Sequence, residues 1–94
     1  MTNPLNTFAT IGASSVKALK GNGARSNATF TNDSNVTMYL SLGSAAVVGS
    51  GIPLLPGGML NLTAIAASYG IWVGDVYAIA SGSGNNLAIC EQYE

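Results

Sequence analysis

Apolar and polar residues alternate in short runs along this chain, and no run keeps a 3.6-residue period for long. The clearest alternation is Val36–Leu42, with Met38, Leu40 and Leu42 on one side and Thr37, Tyr39 and Ser41 on the other. Ser15–Lys20 alternates weakly and predicts a first strand. Gly21-Asn22-Gly23 then predicts a reversal, since Asn-Gly favours a type I′ hairpin turn. Arg25–Thr31 predicts the next strand, with Ala28 and Phe30 on one face and Asn27, Thr29 and Thr31 on the other. Asn32-Asp33-Ser34-Asn35 reads as a loop, because each of these side chains can hydrogen-bond its own backbone. Residues 43–51 are small, with Ala45–Val48 as a short edge strand. Pro53 and Pro56 cannot donate to a ladder, so Ile52–Gly58 is edge or loop, and Pro56-Gly57 is a turn. Met59–Thr63 resumes the alternation with Leu60 and Leu62 inward, and Ala64–Ser68 reads as a connection.

The last quarter organises the rest. Ile71–Ala80 is rich in β-branched and aromatic residues, Leu87–Cys90 is apolar, and Ser81-Gly82-Ser83-Gly84 lies between them. This pattern predicts a closing β-hairpin. Val76, Ala78 and Ala80 fall on one face and Tyr77 and Ile79 on the other, so the hairpin needs cover on both sides. Residues 1–15 lack charge and periodicity, and Pro4, Gly12 and the Thr/Ser content argue against a helix. They read as an extended N-terminal arm, either a loose terminus or one that orders against a neighbouring subunit, followed by a single domain over residues 16–94. Short strands and turn signals at roughly ten-residue spacing predict an all-β fold, a small antiparallel β-sandwich or barrel. Cover from outside puts Phe8, Ile11, Trp72, Tyr77 and Ile79 at a subunit interface.

Composition sharpens this picture. Only 7% of the 94 residues are charged, against about 25% in ordinary soluble domains. Free monomers use surface charge to stay soluble, whereas a component of an assembly does not need it. The net charge is −1 with three Lys/Arg, too few cations to neutralise phosphates, which excludes a nucleic-acid role. No stretch approaches the ~20 apolar residues of a bilayer span, so no membrane partner is expected. Met1-Thr2-Asn3-Pro4 has neither the basic nor the apolar region of a secretory signal. The single cysteine, Cys90, rules out an internal disulfide and reads as a small buried residue of the last strand.

Chemistry is sparse. Histidine is absent, which removes the usual general base and metal ligand. One cysteine cannot build a zinc site, and the two Gly-Ser-Gly turns lack the lysine of a phosphate loop. No catalytic residue, metal ligand or cofactor site is expected, and the chain reads as a non-enzyme. Asp75 beside Trp72 and Tyr77 is the one suggestive grouping; it fits a carbohydrate-binding β-module, with stacking rings and a hydrogen-bonding acid.

Three stretches carry a resemblance. Phe30–Gly43, with its Asn-Val-Thr-Met-Tyr-Leu-Ser-Leu-Gly, is similar to the "N-x-S … V/M-Y-L … G" stretch of small virion proteins of tailed bacteriophages. Gly51-Ile52-Pro53-Leu54-Leu55-Pro56-Gly57-Gly58 resembles their "G-I-x-L-x-P-G-G" segment. Val76-Tyr77-Ala78-Ile79-Ala80-Ser81-Gly82 resembles their "V-Y/W-A-I-A-x-G", and the order matches over Arg25 to Glu91. The resemblance implies a structural component of a phage virion, assembled in the cytoplasm of a bacterial host. It leaves open which part. The low charge, the two-faced apolar hairpin and the extended arm favour a capsid decoration or cement protein, a symmetric homo-oligomer with the trimer favoured, bound to the major capsid protein. A neck, tail or fibre-associated protein is the alternative within that class.

Overall fold

The computed structural model describes residues 3–63 and 71–94. Its strands are β1 (Asn3–Ile11), β2 (Val16–Leu19), β3 (Arg25–Asp33), β4 (Met38–Leu42), β5 (Ile52–Leu54), β6 (Met59–Thr63), β7 (Val76–Ala80) and β8 (Asn85–Tyr93). They form two four-stranded sheets, ordered β1-β8-β3-β6 and β2-β7-β4-β5, with every pairing antiparallel. The first strand pairs with the last, the second with the seventh, the third with the sixth and the fourth with the fifth. This nesting of four strand pairs, rolled into two facing sheets, is the jelly-roll form of the β-sandwich. The all-β antiparallel sandwich expected from the alternation is the fold.

The inward phase of each strand supplies the core. Met38 and Leu40 of β4, Ala28 and Phe30 of β3, Val76, Ala78 and Ala80 of β7, and Leu87 and Ile89 of β8 are all buried against one another. Phe30 is the largest fully buried side chain, and burying a group of that size contributes about 2–3 kcal/mol. Leu60 and Leu62 pack onto this core from β6, on the face the sequence assigned them. β5 is a three-residue edge strand carrying Pro53, and Gly57 takes the positive φ of +77° in the turn that follows.

Both expected hairpins are corrected by the topology. β7 and β8 do not pair; they lie in opposite sheets, and residues 81–84 carry the chain across the sandwich. Two consecutive strands with apolar inner phases can bury them face to face as well as side by side. The jelly roll takes the first option, which makes each a central strand of its own sheet. β2 and β3 are likewise in opposite sheets. A type I′ turn needs positive φ at both central residues, and no non-glycine residue among those described has one. Asn22 instead accepts the Ala24 N–H through Oδ1 at 3.0 Å and donates its own N–H to the Val73 carbonyl at 2.7 Å.

The N-terminal stretch is extended, and from Asn3 to Ile11 it is the edge strand β1, in register with β8 along its whole length. Ile11 is sealed in the core. The ladder and that burial offset the entropy of ordering the segment. Ala45–Val48 does not form a strand. The β4–β5 connection instead folds back over its own sheet, and Ala46 N–H donates to the Ser15 hydroxyl beyond β7 at 2.8 Å. Ala46, within this connection, is buried, and so is Ile79 of β7.

Asn32, expected in a loop, is a fully buried residue of β3. Its Nδ2 donates to the carbonyls of Val36 and Leu54, each at 2.7 Å, and its Oδ1 accepts the Ser34 hydroxyl at 2.6 Å. One side chain thereby ties the end of β3 to the entry of β4 and the exit of β5. The segment 64–68, expected as a connection, lies outside the described residues.

Candidate functional site

At one end of the sandwich the polar side chains converge. Arg25 opens β3 and Glu91 sits near the end of β8, and both are buried. Arg25 Nε donates to Glu91 Oε2 at 2.5 Å. Its Nη1 donates to the carbonyls of Trp72 and Gly74 at 3.0 and 3.1 Å, and its Nη2 to that of Lys20 at 2.8 Å. A guanidinium matched to a carboxylate and three carbonyls satisfies a charge that burial would otherwise penalise heavily. The pair joins positions 66 residues apart, so no local spacing announces it. One trace exists in the sequence: Glu91 falls on the same phase as the inward-facing Leu87 and Ile89. An open cleft of about 530 Å³ lies beside the pair, lined by Leu5, Leu19, Lys20, Gly21, Asn22, Gly23, Glu91 and Tyr93.

The Trp72–Asp75 grouping is adjacent, and its polar atoms are engaged within the chain. Asp75 Oδ1 accepts the Gly21 N–H at 2.7 Å, and Oδ2 lies 3.3 Å from Lys17 Nζ. The Gly21 N–H is the main cause holding the Asp75 carboxyl below the ordinary carboxylate range, and Lys17 adds to it, while partial desolvation opposes both. Trp72 Nε1 donates to the Asp75 carbonyl at 3.0 Å. The indole packs on Gly74 and Gly43; a Cβ on Gly43 would lie 3.0 Å from two ring carbons. Tyr77 is half-buried, paired across the sheet with Lys17 and Ser41. Two of the three residues suggested for a sugar site, Trp72 and Asp75, thus brace a loop, Tyr77 is a strand residue of β7, and the acid's two oxygens are already taken. Among the described residues, no three His, Cys, Asp or Glu side chains gather as a metal site.

The expected interface residues separate into two groups. Ile11 is fully buried and Ile79 nearly so, both covered by their own chain. They have almost no surface to offer a partner, because Ile11 ends β1 in the core and Ile79 lies buried in the central strand β7. Phe8 is 66% exposed and Trp72 39%. Further large apolar side chains stand in solvent at Leu5, Val47, Val48, Leu55 and Met59.

The outer face of the β1-β8-β3-β6 sheet is the broadest regular surface. It displays Asn6 and Phe8 of β1, Ala88 and Cys90 of β8, Thr29 and Thr31 of β3, and Met59 and Asn61 of β6. Cys90 is exposed here, which corrects the expectation of a buried thiol. Leu87, Ile89 and Glu91 take the inward phase of β8, so strand alternation sends Cys90 outward. A shallow depression of about 250 Å³ surrounds it, lined by Asn6, Thr7, Thr29, Thr31, Ala88, Ile89 and Cys90. β1 also has one edge without a strand partner among the described residues.

No protein-family model matches this sequence, and no curated protein does. Among solved structures, the chain is similar to a Bacillus endospore-appendage protein, described as one of a novel family of disulfide-linked pili. The TM-score is 0.53 at 12% identity, over 99% of this chain and 86% of that one. At that identity the likeness shows a shared fold and nothing finer.

Proposed function

We propose that this protein is a non-enzymatic structural subunit that self-associates, working as a building block of a tailed-bacteriophage particle. Capsid decoration or cement is the role put forward first, with the major capsid protein as partner, and a neck, tail or fibre position is the alternative. The observation that carries the reading is how the few charges are spent. Arg25 pairs with Glu91 and Lys17 with Asp75. The remaining surface is mostly uncharged, and Phe8, Leu55, Met59, Val47 and Val48 stand exposed on it. Exposed apolar side chains with so little charge around them suit a surface that is covered in use.

The similarity of three sequence stretches to small phage virion proteins supports the choice of particle. The shared fold with a pilus protein is compatible with a subunit that polymerises. Disulfide linkage does not carry over in the same form, because one thiol per chain allows a single bridge and links copies only in pairs. The carbohydrate reading is the weaker one, since Asp75 and the Trp72 N–H are already bonded within the chain.

Sedimentation of the purified protein and its copy number on purified particles test the proposal together. An oligomer present at many copies per particle supports decoration. A few copies per particle moves the role to neck, tail or fibre. A monomer at all concentrations, absent from particles, overturns the reading.

A further inference from the structure

The geometry points to the outer face of the β1-β8-β3-β6 sheet as the surface on which two copies of this chain meet, face to face about a twofold axis parallel to the strands. This rests on the self-association proposed above and names its surface. Strand register lays the face out in cross-strand rows. Phe8, Ala88, Thr31 and Met59 stand side by side in one row, and Asn6, Cys90, Thr29 and Asn61 in the next. Neither row contains a charge, although charged side chains are a common means of keeping exposed sheet surfaces from associating. The one acid on this face, Asp33, stands in the adjoining row with Asn86 and Thr10, toward one end.

The first row is self-complementary. Its bulky members are at the ends, Phe8 at 66% exposure and Met59 at 61%, with Ala88 and Thr31 between them. A twofold axis along the strands reverses the row in the second copy. Phe8 of each copy then stands over Met59 of the other, and the small residues meet in the middle. Two sheets of the same twist packed face to face approach closest at the centre and separate toward their corners. Small residues in the middle and large ones at the edges fill that shape.

The area sets the strength. Four strands at ~4.8 Å spacing and about seven residues at ~3.3 Å give a face of roughly 19 by 23 Å, or about 900 Å² over both copies. That is just below the range of stable specific interfaces, so the pair is weak alone, with a dissociation constant on the order of 10–100 µM. Multiple copies in an assembly make such a contact sufficient.

Cys90 reports on the face from its middle. The experiment measures sedimentation equilibrium and the rate of Cys90 alkylation by N-ethylmaleimide on the same wild-type samples, over concentrations bracketing that constant. The alkylation rate is expected to fall in step with the monomer fraction, roughly tenfold where nine-tenths of the protein is paired. Thr31→Lys sets like charges near the axis and is expected to weaken pairing roughly a hundredfold or more. Phe8→Thr, an exposed position on an edge strand, gives the same direction of change should Thr31→Lys fail to fold. Self-association with Cys90 alkylated at an unchanged rate overturns this surface and leaves the proposed function standing. So does a trimer with a freely reactive Cys90, because a ring of three closes through two different surfaces. A wild-type chain that stays monomeric throughout overturns this surface, and overturns the proposed function as well if the chain is also absent from particles.

Discussion

Replacing Arg25 by methionine removes the buried guanidinium while keeping most of the side-chain volume. Four hydrogen bonds disappear, and the buried Glu91 carboxylate loses its cation. The three carbonyls of Lys20, Trp72 and Gly74 are only partly buried, so water can replace their donors at modest cost. The stranded carboxylate dominates, and breaking a buried pair from one side costs about 3–5 kcal/mol. Against a total stability of about 5–14 kcal/mol for a chain of this length, Arg25→Met is expected to lower the melting temperature by roughly 15–30 °C. Urea unfolding checks this, followed by far-UV circular dichroism and by the fluorescence of Trp72, the one tryptophan. The double variant Arg25→Met/Glu91→Leu is expected to recover much of the loss, because neither charge is then left unpaired. Arg25→Met within about 1 kcal/mol of wild type refutes the claim that the pair is buried and structural. A double variant no better than Arg25→Met shows instead that the bonds to the carbonyls carry the effect.

Three further outcomes are expected. Asn32→Leu leaves the Leu54 carbonyl without the Asn32 donor and the Val36 carbonyl with the Ser34 hydroxyl alone, and should cost about 1–3 kcal/mol in urea unfolding. Gly51→Ala should destabilise by about 2–4 kcal/mol, since φ is +85° there and a Cβ would run into the Leu40 carbonyl; a melt unchanged from wild type contradicts that geometry. The folded state holds the Asp75 carboxyl below its ordinary range, through Gly21 first and Lys17 second. Its contribution is therefore present above the unfolded pKa and is lost as pH falls through the folded one. Asp75→Asn should flatten that acid limb of the melting-temperature profile, and an unaltered limb would show that Gly21 and Lys17 do not set it.

Period-two alternation made most of the strands and the all-β class readable, because side chains on a strand divide between two faces whatever the strand pairs with. Met59–Thr63 shows this with Leu60 and Leu62 packed on the core, and Val36–Leu42 with Met38 and Leu40 buried, although Leu42 at the end of β4 is exposed. The low charge count was readable outright, because it depends on which residues are present and not on their partners, whereas Phe8 and Ile11 looked alike and only the fold exposes one and buries the other. Pairing is a different matter. Ser81–Gly84 and Gly21–Ala24 permit a reversal within one sheet or a crossing to the other, and only the packing of both sheets around one core selects the crossing. The same holds for Cys90, whose face follows from Leu87, Ile89 and Glu91 all pointing inward. Glu91 can do so only because Arg25, distant in sequence, arrives beside it. Asn32 looks like a loop residue until the Val36 and Leu54 carbonyls come within reach. Alternation is a property of neighbours along the chain, whereas the placement of a buried polar group depends on partners that only the folded chain brings together.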